Sequence, residues 1–170
     1  MSSSFITNKD KFLSDIINGI LPKTDAVDFL VGYFYYSGYV QLSENLKNKH
    51  IRILVGLDIE IQISKHVCEV ENFRQKLLSR GVLKEQYYSE FVKAFNDTDF
   101  LDTAEKIEQF KMFYAKILDG TLEIRKTLDP CHSKMYLFVY NESMNEGGEL
   151  PGVMITGSSN LSYQGMQGRL

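Results

Sequence analysis

Apolar residues recur along this chain in two rhythms, one helical and one extended. Phe12, Ile16, Ile17 and Ile20 fall at helical spacing and predict a short amphipathic helix over residues 8–20, punctuated by Gly19, Pro22 and Asp25. The dense run Ala26 to Phe34 is too short for a buried helix and predicts a strand covered on both sides. Tyr35-Tyr36-Ser37-Gly38 turns into a second helix with Val40, Leu42 and Leu46 inward, and His50 to Ile59 reads as the next strand. Residues 64–119 then carry helical stripes: Val70, Phe73, Leu77 and Leu78, ended by Gly81; Tyr87, Phe91, Val92 and Phe95; and Ile107, Phe110, Phe113 and Ile117. Asp102-Thr103-Ala104-Glu105 has the look of a capping box before the last stripe, and Gly120 follows it where a helix ends. Three strands close the pattern, Leu122 to Thr127, Ser133 to Tyr140 and Val153 to Thr156, the last two joined by a polar surface loop from Asn141 to Pro151.

Strand, helix and strand with so short a crossover imply a right-handed βαβ unit and a parallel pair. With no internal repeat and no linker, residues 1–170 read as one α/β domain: a mixed, largely buried sheet flanked by helices on both faces. The composition is that of an ordinary globular chain, 44% hydrophobic and 24% charged. No apolar run reaches the roughly 18–20 residues needed to span a bilayer, and Met1-Ser2-Ser3-Ser4-Phe5 does not open a signal peptide, so no membrane partner and a cytoplasmic location are expected. Cys68 and Cys131 fit neither a disulfide framework nor a zinc spacing. The net charge of −3 argues against gripping a long duplex by charge alone but leaves room for a compact phosphate site.

Such a site is suggested by His132-Ser133-Lys134 and Gly157-Ser158-Ser159-Asn160, at the facing ends of the last two strands. His132 and Lys134 share a strand face. A neutral imidazole can attack phosphorus, a lysine can neutralise phosphate oxygens, and a Gly-Ser-x-Asn turn near a helix start can offer hydroxyl, amide and backbone donors. If the two strands form an antiparallel hairpin, one phosphate touches all these groups. Either element alone is common; their order on consecutive strands carries the signal. His50 and His66 have no such company and receive no role, Cys131 reads as a small buried residue, and Tyr33, Phe34, Tyr35 and Tyr36 read as packing residues before base-stacking ones.

The strings His132-Ser133-Lys134-Met135-Tyr136-Leu137-Phe138 and Ile155-Thr156-Gly157-Ser158-Ser159-Asn160-Leu161-Ser162 resemble the HxK…GSxN pattern of phospholipase D-like nuclease domains, of the type found at the N-terminus of bacterial helicase-like proteins and in some restriction endonucleases. Phe29 to Phe34 with Ser37-Gly38, Ile51 to Gly56, and Ile117 to Arg125 are similar to the strands that precede the motif in that family.

The resemblance implies that His132 is the nucleophile forming a phosphohistidine, or the acid that protonates the leaving oxygen. Lys134, Ser158, Ser159 and Asn160 would hold the phosphate, with His132, Lys134, Asn160 and Ser158 as the catalytic set and no metal or cofactor. The family uses two motifs per active site; with one copy here, a homodimer would complete it. Val139 stands where the longer motif has Asp, and an orienting acidic residue would fall beyond Leu170, so this chain is expected to be the N-terminal piece of a longer protein with attached helicase or ATPase domains. The expected activity is metal-independent hydrolysis of DNA phosphodiesters. The alternatives are a catalytically degenerate module that docks a nucleic-acid backbone for a helicase and, less favoured for want of a basic amphipathic segment, a phospholipase acting on lipid head groups.

Overall fold

The computed structural model describes residue 6 and residues 11–59, 103–144 and 151–168. The stripes predicted at residues 70–95, together with Cys68, His66 and the middle of the 141–151 loop, lie outside the described residues.

Helix α1 (Leu13–Ile20) starts later than the pattern predicts and buries Leu13 and Ile17. A 3-10 turn over Leu21–Lys23, with Pro22 at its start, delivers the chain into strand β1 (Thr24–Phe34). The predicted second helix is broken into α2 (Tyr36–Val40) and α3 (Ser43–Leu46). The Ser43 hydroxyl donates to the Val40 carbonyl at 2.9 Å, a local bond that competes with helical continuation. Leu42 and Leu46 still point inward and are buried.

Strand β2 (His50–Ile59) lies parallel to β1. Helix α4 (Ala104–Asp119) follows, capped by Thr103, whose side chain accepts from the Lys106 N–H at 3.3 Å. The third helical position is Lys106, so the reciprocal half of a capping box is missing. Gly120 closes the helix at φ 81, a left-handed conformation in which a Cβ would be strained, and β3 (Leu122–Lys126) pairs parallel with β2.

Strands β4 (Met135–Tyr140) and β5 (Gly152–Thr156) form the predicted antiparallel hairpin. β4 also pairs antiparallel with β1, which places β1 in the centre of a five-stranded mixed sheet of order β3-β2-β1-β4-β5. The fold is α/β, with helices flanking the sheet, and ends in helix α5 (Tyr163–Gln167) against α1 and α2.

Burial of β1 is complete on one face only. Val27, Phe29 and Val31 sit in the core, while Ala26, Asp28 and Leu30 are half-buried on the other. There Arg52 grips Asp28 through two bonds of 2.6 and 2.5 Å, beside a groove of about 590 Å³ lined by Leu30, Leu54, Met135 and Leu137. The expectation of a strand covered on both sides is thereby corrected: Asp28, the one charged residue in the run, lies on the half-buried face and is met there by Arg52.

The carboxyl end of β1 is anchored from beneath. Phe113 of α4 lies 4.8 Å from Tyr39, 5.1 Å from Tyr36 and 6.4 Å from Phe34 between ring centroids. Truncating a buried aromatic of this kind costs about 3–5 kcal/mol. This cluster therefore fixes where β1 ends, and the functional groups collect at that end.

Candidate active site

The carboxyl ends of parallel strands are where α/β sheets gather ligand groups, and here they meet the start of β4 and the end of β5. Met135 pairs with Thr156, and the Gly157 N–H donates to the Lys134 carbonyl at 3.3 Å. This pairing carries the turn 157–160 next to residues 132–134, as the hairpin expectation requires. β4 itself begins at Met135; residues 131–134 approach it as extended chain. Lys134 is buried in phase with Tyr136 and Phe138, while His132 and Ser133 before it are both exposed.

Three of the predicted residues converge above one glycine. A Cβ placed on Gly32 would lie 3.2 Å from Asn160 Oδ1, 3.2 Å from His132 Cδ2 and 3.4 Å from Lys134 Nζ. A side chain at position 32 would occupy the point where the imidazole, the amide and the ammonium meet, so the absence of one is what lets them approach.

Each group is held differently. The Tyr33 backbone N–H donates to Asn160 Oδ1 at 2.9 Å. A backbone N–H can only donate, so the amide is oriented without ambiguity, and its Nδ2 remains free as a donor. The Lys134 side chain is 5% exposed, and its ammonium donates to the His132 carbonyl at 2.6 Å. Desolvation lowers its pKa below the ordinary lysine value. His132 is exposed, and the Tyr33 ring stands at 80° to the imidazole with 6.4 Å between centroids. No hydrogen bond reaches the His132 imidazole from the described residues.

Ser158 is exposed and Ser159 half-buried on the same turn, and within the described residues neither hydroxyl is engaged in a hydrogen bond. The Ser159 carbonyl accepts from the buried Tyr136 hydroxyl at 2.8 Å, and the Leu161 carbonyl accepts from the Tyr35 N–H at 2.9 Å. The turn is thereby pinned to both β4 and β1. Gly157 has no positive φ, and a Cβ there would meet nothing within 4 Å; the close approach falls to Gly32. The expectation that a helix start serves the turn is corrected: the N-terminus of α5 does not serve residues 158–160. Its cap is Ser162, whose side chain takes the Gly165 N–H, while the Tyr163 N–H goes to Ser37 Oγ.

Cys131 is half-buried rather than buried. The Ser133 backbone and hydroxyl, with Lys134 nearby, lower its thiol pKa. Of the four aromatic residues at the end of β1, Phe34 and Tyr36 are core, Tyr33 is half-buried and Tyr35 is 43% exposed. His50 opens β2 on the surface.

Sequence reading missed Gly32, Tyr33 and Tyr136 as parts of the site. A lone glycine within a strand of bulky apolar residues signals a close backbone approach, which marks Gly32. Tyr33 acts on Asn160 through its backbone, and no sequence pattern reports that. Among the described residues no group of three or more His, Cys, Asp or Glu side chains could hold a metal ion, and no helix is long and apolar enough to cross a membrane.

No protein-family model, no curated protein and no solved structure matches the chain.

Proposed function

We propose that this chain is a metal-independent phosphodiesterase that hydrolyses nucleic acid, DNA in preference to RNA, through His132. The observation that carries this reading is the convergence of His132, Lys134 and Asn160 above Gly32. An imidazole nitrogen attacks phosphorus and the P–O bond to the departing nucleotide breaks, leaving a phosphohistidine. Water then attacks that phosphorus and frees the imidazole. The Lys134 ammonium and the Asn160 amide meet the charge that builds on the non-bridging oxygens, with the Ser158 and Ser159 hydroxyls as further donors.

The departing oxygen needs a proton from a second acid. A second copy of His132, brought across a two-fold axis, supplies it, so the active form is a homodimer. Helicase or ATPase domains attached to this unit would give the cleavage a strand to act on.

The decisive test is quenching in alkaline SDS during turnover of a 32P-labelled DNA, followed by treatment of the trapped protein with acid. Label that is covalently bound to protein, acid-labile and lost in His132→Ala supports the reading; turnover without protein-bound label refutes the histidine route. A second reading is favoured by the lack of a hydrogen bond to the imidazole among the described residues: a module that docks a phosphate backbone without cleaving it. In that case the chain binds DNA through Lys134 and Asn160 and releases no product.

A further inference from the structure

We infer that Tyr33 is the positioning residue for the His132 imidazole and couples it to Asn160. The inference rests on the phosphodiesterase reading and deepens it. A nucleophilic imidazole must keep one nitrogen lone pair on the line to phosphorus, and small errors of aim are costly. His132 is exposed, and no hydrogen bond from the described residues fixes its ring. Its ring contact is with Tyr33, edge to face at 80° and 6.4 Å, within the range favoured by aromatic pairs.

Tyr33 is placed for this by an irregularity in the sheet. The β1–β2 register runs without break from Ala26↔His50 to Val31↔Val55, then shifts so that Tyr33 faces Asp58. Such shifts re-aim side chains beside functional sites. The same residue donates its backbone N–H to Asn160 Oδ1 at 2.9 Å. One residue thus sets two members of the site by separate means, the amide through its backbone and the imidazole through its ring. Substituting the side chain removes the second and leaves the first.

The test compares Tyr33→Phe and Tyr33→Leu in the intact chain, each with its backbone N–H retained. The His132 ring protons are followed by NMR, assigned by their loss in His132→Ala. kcat and KM are measured on bis(p-nitrophenyl) phosphate in EDTA. The wild type and Tyr33→Phe should share ring-current-shifted His132 signals. Tyr33→Leu should lose the shift and lower kcat roughly three- to tenfold at unchanged KM. Unchanged signals in Tyr33→Leu overturn the inference, as does an equal loss of kcat in Tyr33→Phe, which would assign the effect to the hydroxyl. The two failures are distinguishable. A wild type with shifted signals but no turnover in EDTA sinks the phosphodiesterase reading and with it the catalytic consequence drawn for Tyr33. Turnover with no ring-current shift sinks the Tyr33 contact alone.

Discussion

The Tyr33 backbone N–H and the Asn160 side-chain oxygen meet at 2.9 Å, tying the central strand to the turn after the last one. This bond occupies the amide oxygen and decides which atom of the amide is left for a ligand. Without it the amide would be free to present an acceptor to an anion. With it, the free atom is Nδ2, a donor. Asn160→Asp should therefore damage phosphate binding more than Asn160→Ala. Its carboxylate can still accept the Tyr33 N–H, but it turns a negative oxygen toward the phosphate. Titrating both variants with inorganic phosphate or a short DNA checks this; equal losses would contradict the assigned orientation.

Gly32→Ala should leave the fold intact and disable the site. The added methyl would sit 3.2 Å from both Asn160 Oδ1 and His132 Cδ2, so both must give by a few tenths of an ångström. Turnover should fall roughly tenfold or more, with the midpoint of thermal unfolding nearly unchanged. Activity and unfolding measured on one preparation separate this from misfolding.

The burial of Lys134 makes two pH predictions of fixed sign. Desolvation lowers its pKa below 10.5, so the cation that chemistry needs is lost at lower pH than for an exposed lysine. The alkaline limb of the pH–rate profile should accordingly fall below the ordinary lysine range. For stability, the unfolded chain binds the extra proton between the lowered pKa and the ordinary one. Lys134 therefore costs stability at neutral pH, and the cost fades as pH rises through that window. Lys134→Met should remove that pH dependence in urea unfolding while abolishing phosphate binding.

Lys116 offers a contrast away from the site. Buried at 7% exposure, it donates to the carbonyls of Lys47 and Lys49 at 3.0 and 2.8 Å, closing the turn into β2. Lys116→Met strips two carbonyls of their donor and should cost about 2 kcal/mol in chemical unfolding. Turnover by the fraction that remains folded should stay at the wild-type level.

How much of this was legible in the sequence follows from which interactions set each feature. Strands β1, β2, β4 and β5 were visible as largely apolar runs between turn residues, β3 showed only the alternation of Leu122 and Ile124 with charged neighbours, and the β4–β5 hairpin followed from adjacency. The meeting of His132 and Lys134 with Asn160 was visible for the same reason: alternation puts the first two on one face, and the hairpin brings the third to them. Long-range choices were not visible. That β4 inserts beside β1, with Phe29 against Tyr136 at 5.1 Å, is decided by tertiary packing. The roles of Gly32, Tyr33 and Tyr136 depend on that insertion, so a reading confined to neighbours along the chain could not reach them. The helix break at Gln41–Leu42, beside which the Ser43 hydroxyl meets the Val40 carbonyl, leaves no mark in the apolar spacing.

The most direct test of the central claim is cleavage of plasmid DNA and of a chromogenic phosphodiester in excess EDTA, comparing the wild type with His132→Ala at matched fold and concentration. Cleavage should persist in EDTA and vanish with the imidazole. Cleavage that survives in His132→Ala, or a wild type that binds DNA and never cuts it, would contradict the claim.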